Sequence, residues 1–165
     1  ERPWMKAAEI TDQVIAALGR FKGVKWRMVL RVLVCGVRVY DDFAHHPTAI
    51  ASTLEGLRKR VQGEHILAVL EPRSNTMRLG VHNAELARSL EPADRVYVFA
   101  PSDLGWDAAP VFTSLGERAG VYGRVEDIVE RIAEEAAPGD HVLVMSNGGF
   151  QGIHQRLLEA LVGRS

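Results

Sequence analysis

Two aspartates and two histidines lie close together in the segment Asp41-Asp42-Phe43-Ala44-His45-His46. Carboxylates and imidazoles suit metal, phosphate or ribose chemistry. The segment follows an alternating run at residues 37–40 and precedes Pro47, so it is predicted to join a strand to a helix. Because a residue before proline is disfavoured in the helical region, His46 should be extended and the helix should begin at Pro47. On spacing alone, a functional loop and an ordinary strand end with a helix cap are equally open.

Two further polar segments follow apolar runs. Residues 71–77 read Glu-Pro-Arg-Ser-Asn-Thr-Met, and residues 146–150 read Ser-Asn-Gly-Gly-Phe. Arg73 could hold a carboxylate or phosphate in bidentate fashion, although a surface ion pair is its ordinary role. The second segment could bind an anion at a helix N-terminus, or form a plain turn with a cap. In an open α/β sheet, ligands bind beyond the carboxyl ends of the strands, so the three segments are expected to converge at one edge.

The elements that must position these segments alternate along the chain. The pattern predicts helices over 47–61 and 83–90, from residue 125 to 136, and again near the C-terminus, with an earlier short helix around residues 11–18. Strands are predicted at 28–34, 37–40, 65–70, 95–100 and 141–145, with loops at 71–79 and 101–110. Trp106, in the second loop, could cover a ligand or fill a local apolar niche. This order predicts an α/β fold, a Rossmann-like, doubly wound, mostly parallel sheet with helices on both faces.

Composition narrows the class of protein. The 165 residues carry a net charge of -1, which indicates no broad basic field and no nucleic-acid partner. The chain has no run of about 18 apolar residues and no signal peptide, so we expect a cytoplasmic protein without a membrane partner. Its one cysteine, Cys35, lies among apolar residues and is expected to be buried and inert. The start at Glu1 suggests a fragment of a longer protein. No GxxxxGK[ST] loop, CxxC or HExxH motif occurs, so no metal site is predicted and any phosphate-binding loop lies elsewhere.

With these segments in view, the chain resembles the C-terminal domain of the Mur ligase superfamily, from Phe-Lys-Gly-Val-Lys at 21–25 to the last helix. Asp-Asp-Phe-Ala-His-His-Pro-Thr at 41–48 is similar to the branch that ligates to UDP-N-acetylmuramate. Glu-Pro-Arg-Ser-Asn-Thr-Met at 71–77 and Met-Ser-Asn-Gly-Gly-Phe at 145–150 are similar to the murein peptide ligase branch. The alanine-adding branch typically has a His-Arg pair in the second segment, which this chain lacks.

The resemblance implies a three-domain parent enzyme that joins L-alanyl-γ-D-glutamyl-meso-diaminopimelate to UDP-N-acetylmuramate in peptidoglycan recycling. The N-terminal domain would hold the UDP-sugar, and the central domain would carry the ATP phosphate loop and Mg²⁺, so both cofactors would be held mainly outside this chain. Residues 1–20 would end the central domain or link to it, and residues 21–165 would form the substrate-binding domain. The implied mechanism is acyl-phosphate formation on the sugar's lactyl carboxylate, followed by attack of the peptide's amine. This domain would position that amine and close over ATP.

Roles are carried over residue by residue. Arg27 would reach the ATP phosphates and Asp42 the nucleotide ribose, while His45 and His46, the catalytic candidates, would lie beside the peptide or the phosphates. The resemblance assigns substrate binding to Arg73, Ser74, Asn75, Ser146, Asn147 and Phe150. The chain departs from the family pattern at Trp26, at residues 32–35 and at Gln151, where glycine is expected.

Three alternatives remain open from the sequence. The first is the UDP-N-acetylmuramate–L-alanine ligase domain. The second is a metal-dependent phosphoesterase that uses Asp41, Asp42, His45 and His46 as ligands. The third is a non-catalytic peptide-binding module.

Overall fold

Six strands form one mixed sheet in the computed structural model, which describes residues 28–80 and 82–164. The strands are β1 (Val29–Val34), β2 (Val37–Asp42), β3 (Ile66–Leu70), β4 (Arg95–Phe99), β5 (Ala119–Tyr122) and β6 (His141–Met145). Their order across the sheet is β1-β2-β6-β3-β4-β5. The β1–β2 hairpin is antiparallel, and every other neighbouring pair is parallel. The predicted mostly parallel sheet is therefore confirmed. The early helix, Trp26 and Arg27 lie outside the described residues.

Helices connect the parallel strands. They are α1 (Pro47–Val61), α2 (Asn75–Arg78), α3 (Asn83–Ser89), α4 (Ala108–Val111), α5 (Val125–Glu135) and α6 (Ile153–Val162), with 3-10 turns at Thr113–Arg118 and Phe150–Gly152. As predicted, α1 begins at Pro47 and His46 is extended, with φ -134° and ψ 143°. None of the helices in the described part of the chain has the length and apolar character needed to cross a bilayer.

Each face of the sheet has its own apolar core. Ile50 and Leu54 of α1 pack on one face together with α3, and Ile128 and Ile132 of α5 pack on the other together with α6. Strands β3 and β6 lie between the two cores, and every one of their residues is buried. Continuous apolar strands are what a parallel sheet covered on both faces requires. The doubly wound arrangement with helices on both faces is thus confirmed.

Some local predictions were wrong. Strand β5 was not predicted, because its sequence Ala-Gly-Val-Tyr is short and only partly buried at the sheet edge, so it lacks an apolar signal. The loops predicted at 71–79 and 101–110 contain α2 and the start of α4. Both helices have four residues, which is too short for a helical period to show in the sequence.

Cys35 is exposed, contrary to the expectation that it is buried. It forms the tip of the β1–β2 hairpin with Gly36, and the two residues have φ of 50° and 78°. Two-residue hairpin loops favour positive φ because that backbone twist matches the twist of the strands. The cysteine is exposed because it forms part of this hairpin tip.

Candidate functional site

Three loops meet at one edge of the sheet because they follow adjacent strands. Strands β2, β6 and β3 are neighbours and run parallel, so their carboxyl ends lie together. The backbone N–H of Ser146 donates to the carbonyl of Asp42 at 3.1 Å, and that of Glu71 donates to Met145 at 3.0 Å. The Ser74 hydroxyl donates to the carbonyl of His45 at 3.5 Å. The predicted convergence of the three loops is confirmed.

Glu71 connects two of these loops. The residue is 8% exposed, and its carboxylate accepts a hydrogen bond from the Ser146 hydroxyl and lies 4.0 Å from Nη1 of Arg73. Ser146 Oγ in turn accepts a hydrogen bond from the N–H of Gly148 at 3.0 Å. A buried carboxylate needs such partners, since an unpaired one would be costly. Glu71 was not among the predicted site residues, although it opens the same sequence motif.

Arg73 lies directly over Gly148. A Cβ built on Gly148 would come within 2.6 Å of Arg73 Nη1 and 2.7 Å of its Cδ, closer than side chains pack. The Arg73 side chain is nevertheless 55% exposed, so its guanidinium remains accessible to a ligand. The absence of a side chain at Gly148 therefore leaves space for the Arg73 guanidinium where the loops meet.

The two polar residues after Arg73 have different surroundings. Ser74 caps α2, because its Oγ accepts a hydrogen bond from the N–H of Met77 at 3.4 Å. Asn75 begins α2 and its side chain is exposed. The hydroxyl of Ser74 thus has a structural task, whereas the amide of Asn75 faces outward.

The third loop contributes an unusual acceptor. Among the described residues, the amide oxygen Oδ1 of Asn147 is buried and has no hydrogen-bond partner. A buried acceptor without a donor is unfavourable, so this atom suits the N–H group of a ligand. It is the one feature of this loop that points directly to a polar ligand.

Phe150 lies in the core rather than in the cleft. Its ring is 0% exposed and packs 5.6 Å from that of Phe99. Residues Phe150, Gln151 and Gly152 have consecutive positive φ values of 41°, 49° and 70°. Non-glycine residues adopt this region at a cost, and the resemblance indeed led us to expect glycine at position 151. A ligand contact by Phe150 would involve its backbone, while its ring anchors the loop.

Asp42 is enclosed by protein donors. Its side chain, 1% exposed, accepts hydrogen bonds from the N–H of Met28 at 2.5 Å, the N–H of Ala44 at 2.7 Å and the Thr53 hydroxyl at 3.4 Å. This carboxylate holds the start of β1 and the loop after β2 together. Its predicted contact with a nucleotide ribose stays a prediction.

The two histidines of the first loop are partly exposed and point to different partners. His45 Nδ1 hydrogen-bonds with the carbonyl of Phe43 at 2.8 Å. His46 caps α1, with its Nδ1 accepting from the N–H of Thr48 at 3.3 Å, and its ring lies 4.3 Å from that of His82. His82 directly precedes α3. It was not among the predicted site residues, because no sequence motif includes it. Because Nδ1 is engaged in both residues, Nε2 is the nitrogen left to face a substrate.

Asp41 lies on the opposite side of β2 from Asp42. Its carboxylate is 2.7 Å from Nη2 of Arg31 and 3.4 Å from Nε2 of His154. Burial raises the pKa of Asp41, but His154 and Arg31 together outweigh burial and hold the pKa below its usual value of 3.8. Successive side chains of a strand point to opposite faces, so this separation follows from the strand itself.

The phosphoesterase interpretation is not supported by this geometry. It requires Asp41, Asp42, His45 and His46 to converge, yet the two aspartates face opposite sides of the sheet. Within residues 28–80 and 82–164, no three His, Cys, Asp or Glu side chains are grouped so that they could hold a metal ion.

A cleft of about 280 Å³ lies beside Arg73, and it includes residues that the sequence did not single out. Arg78 of α2 and Asp103 of the loop after β4 line it together with Glu71 and Arg73. Asp103 could have been found by the rule that led to the other loops, since it follows a buried strand. Trp106 does not cover this cleft but fills a niche, donating its indole N–H to the carbonyl of Met77 at 2.8 Å.

Comparison with known proteins identifies the fold's relatives. Residues 26–148 match the family described as Mur ligase, glutamate ligase domain. A protein of Escherichia coli K12, named UDP-N-acetylmuramate–L-alanyl-γ-D-glutamyl-meso-2,6-diaminoheptandioate ligase, is 49% identical over 150 residues, covering 90% of this chain and 33% of the relative. A UDP-N-acetylmuramate–L-alanine ligase of Desulfitobacterium hafniense is 33% identical over 160 residues, covering 90% of this chain and 35% of that relative. The chain thus spans about a third of the length of these relatives.

Two crystal structures agree with these relatives. A murein peptide ligase from Psychrobacter arcticus 273-4 superposes with a TM-score of 0.75 at 44% identity, over 89% of this chain and 32% of that one. A single domain from a putative ligase of the same kind, from Haemophilus ducreyi 35000HP, gives a TM-score of 0.71 at 46% identity, over 82% of this chain and 99% of that one. The family match over residues 26–148 and the 49% identity to the E. coli relative lead to the same conclusion. The chain belongs to the Mur ligase family.

Proposed function

We propose that this chain is the C-terminal, substrate-binding domain of an ATP-dependent ligase. The parent enzyme joins the tripeptide L-alanyl-γ-D-glutamyl-meso-diaminopimelate to UDP-N-acetylmuramate by forming an amide bond. The proposal is supported by the 49% identity to a relative with that name, against 33% to an alanine ligase. In this proposal residues 1–20 end the central domain or link to it, residues 21–165 form this domain, and the reaction takes place in the cytoplasm.

The observation that carries the proposal is the exposed guanidinium of Arg73, held over Gly148 between two loops. A planar guanidinium binds a carboxylate through two parallel hydrogen bonds, and the tripeptide ends in carboxylates. Asn75, two residues after Arg73, is also exposed, and the buried Oδ1 of Asn147, which has no partner among the described residues, can accept from an N–H of the peptide. We propose that these residues hold the peptide so that its amine faces the activated sugar carboxylate, with His45 and His46 beside it. Such positioning can lower a barrier by several kcal/mol.

ATP and Mg²⁺ are the cofactors of the proposed reaction. Among the described residues, no three His, Cys, Asp or Glu side chains are grouped so that they could hold a metal ion by themselves. Asp42 is enclosed by protein donors, and Arg27, proposed to reach the phosphates, lies outside the described residues. We therefore propose that both cofactors are bound mainly by the central domain of the same polypeptide, while its N-terminal domain binds the UDP-sugar. In this domain the residues bind and orient the peptide and help exclude water.

The first test uses the parent protein with UDP-N-acetylmuramate, ATP, Mg²⁺ and either tripeptide or L-alanine, with product measured by mass spectrometry. We expect ligation of the tripeptide in preference to alanine. Arg73→Lys should raise KM for the tripeptide about tenfold, because lysine cannot form the bidentate contact. The 165-residue chain alone should neither hydrolyse ATP nor form product. Preference for alanine, or turnover by the chain alone, would contradict the proposal.

A further inference from the structure

The cleft beside Arg73 has an apolar floor and a charged mouth. Phe99 and Leu104, 4% and 3% exposed, form part of the floor. Ligand sites generally combine an apolar wall with a few placed polar groups. At about 280 Å³ the cleft is smaller than most sites for whole ligands, so it suits one end of a peptide.

The charges at the mouth form two pairs of opposite sign. On one side the buried carboxylate of Glu71 lies 4.0 Å from Arg73. On the other side Nη2 of Arg78 lies 2.7 Å from Oδ2 of Asp103 and donates to the Asp103 carbonyl at 3.0 Å. The cleft thus presents two cations and two anions to whatever enters it. A ligand with only one sign of charge would meet two groups that repel it.

The Arg78–Asp103 pair is positioned by close contacts between the loop after β4 and α2, although the pair itself adds little to the free energy of unfolding. The side chains of Arg78 and Asp103 are 45% and 71% exposed, and ion pairs this exposed contribute little to folding. Yet Trp106 ties the loop after β4 to α2 through its hydrogen bond to Met77. Gly105, with φ of 90°, brings the loop so close that a Cβ there would lie 3.1 Å from the carbonyl oxygen of Arg78. The backbone of the loop after β4 is therefore held against α2, which keeps Arg78 and Asp103 side by side.

We propose that this cleft is a subsite for a zwitterionic amino-acid end, with Arg78 and Asp103 as its specificity-determining residues. The inference rests on the proposed function. The name of the E. coli relative includes 2,6-diaminoheptandioate, which has an amine and a carboxylate at each end. When one amine is acylated by the peptide, the far end keeps both an ammonium and a carboxylate. Arg78 with Arg73 receives that carboxylate, and Asp103 with Glu71 receives the ammonium.

The test compares peptides in the parent protein that differ only in the far end of the third residue. One carries diaminopimelate, one carries lysine and lacks the far carboxylate, and one carries 2-aminopimelate and lacks the far ammonium. Arg78→Gln should reduce the kcat/KM preference for diaminopimelate over lysine about tenfold, chiefly through KM. Asp103→Asn should reduce the preference for diaminopimelate over 2-aminopimelate by a similar factor. Thermal unfolding of each variant checks the fold.

Arg88→Gln is the matched control, because Arg88 is an exposed arginine of α3 that lies outside this cleft. It should leave both preferences unchanged. If the wild-type enzyme ligates the tripeptide but Arg78→Gln and Asp103→Asn keep wild-type preferences, the subsite is wrong while the proposed function stands. If the wild-type enzyme ligates none of the three peptides, the proposed function and the subsite are both wrong. Equal losses for all three peptides would indicate a structural pair and overturn the subsite.

Discussion

The absence of a side chain at Gly148 allows Arg73 to take its position, and the substitution Gly148→Ala, which adds one methyl group, tests this. A Cβ at residue 148 would displace the Arg73 guanidinium, whose atoms lie 2.6–2.7 Å from it. Because the displaced atoms are the far end of a flexible side chain, we expect Gly148→Ala to change the free energy of unfolding by less than about 1 kcal/mol. KM for the peptide in the parent protein should rise about tenfold, since a shifted guanidinium loses its geometry.

Gly149→Ala is the control for this substitution. A Cβ at Gly149 meets nothing within 4 Å, and its φ of -75° suits any residue. Urea unfolding and steady-state kinetics of both variants give the comparison. A loss of binding in Gly149→Ala as large as in Gly148→Ala would show that the loop backbone, and not Arg73, is responsible.

At the residue scale, sequence reasoning located polar side chains but not their partners. Arg73 and Ser146 were expected at one edge because each follows an apolar run. Glu71, which lies between them, was not singled out, since its burial depends on contacts with a loop 75 residues away. The ring of Phe150 belongs to the core for the same reason. Its partner Phe99 comes from a distant strand, and no local pattern encodes that pairing.

At the element scale, Asp41 ties the β1–β2 hairpin to α6 through Arg31 and His154. Its pKa in the folded protein lies below the usual 3.8. A carboxyl whose pKa is depressed by folding stabilises the folded state above its unfolded pKa, and this contribution is lost as pH falls through the folded pKa. We therefore expect Asp41→Asn to lower the free energy of unfolding at about pH 6. The difference from wild type should shrink as pH falls below 3.8 toward about pH 3.

Urea unfolding of wild type and Asp41→Asn across that pH range measures the difference. Glu117→Gln is the control, since in the described part of the chain the Glu117 side chain is exposed and no hydrogen bond or ion pair of its carboxylate is found. A constant difference between wild type and Asp41→Asn down to about pH 3 would contradict the assigned cause.

The elements that sequence reasoning predicted well are those with a clear period or an apolar run. The 15-residue α1 repeats Ile50, Leu54 and Leu57 toward the core, and β6 is apolar throughout. Strand β5 and the four-residue α2 carry no such signal, so neither was predicted. The order of the strands was not predicted either. Strand β6 lies between β2 and β3 and pairs with both, and local sequence patterns do not specify such long-range contacts.

At the scale of the whole molecule, the two cores share the central strands, so the domain should unfold as one unit. A similar domain, which matches 82% of this chain, was crystallised as a single domain. Leu54→Ala on the α1 face and Ile132→Ala on the α5 face each remove a side chain that is 0% exposed, which should cost about 2–5 kcal/mol. Either variant should lower the urea concentration at the unfolding midpoint, as measured by far-UV circular dichroism. Either variant should also increase the rate of amide hydrogen exchange by the same factor in α1 and α5. Val162→Ala, at a position 37% exposed, should change little. Faster exchange confined to the helix that carries the substitution would show instead that the two faces unfold independently.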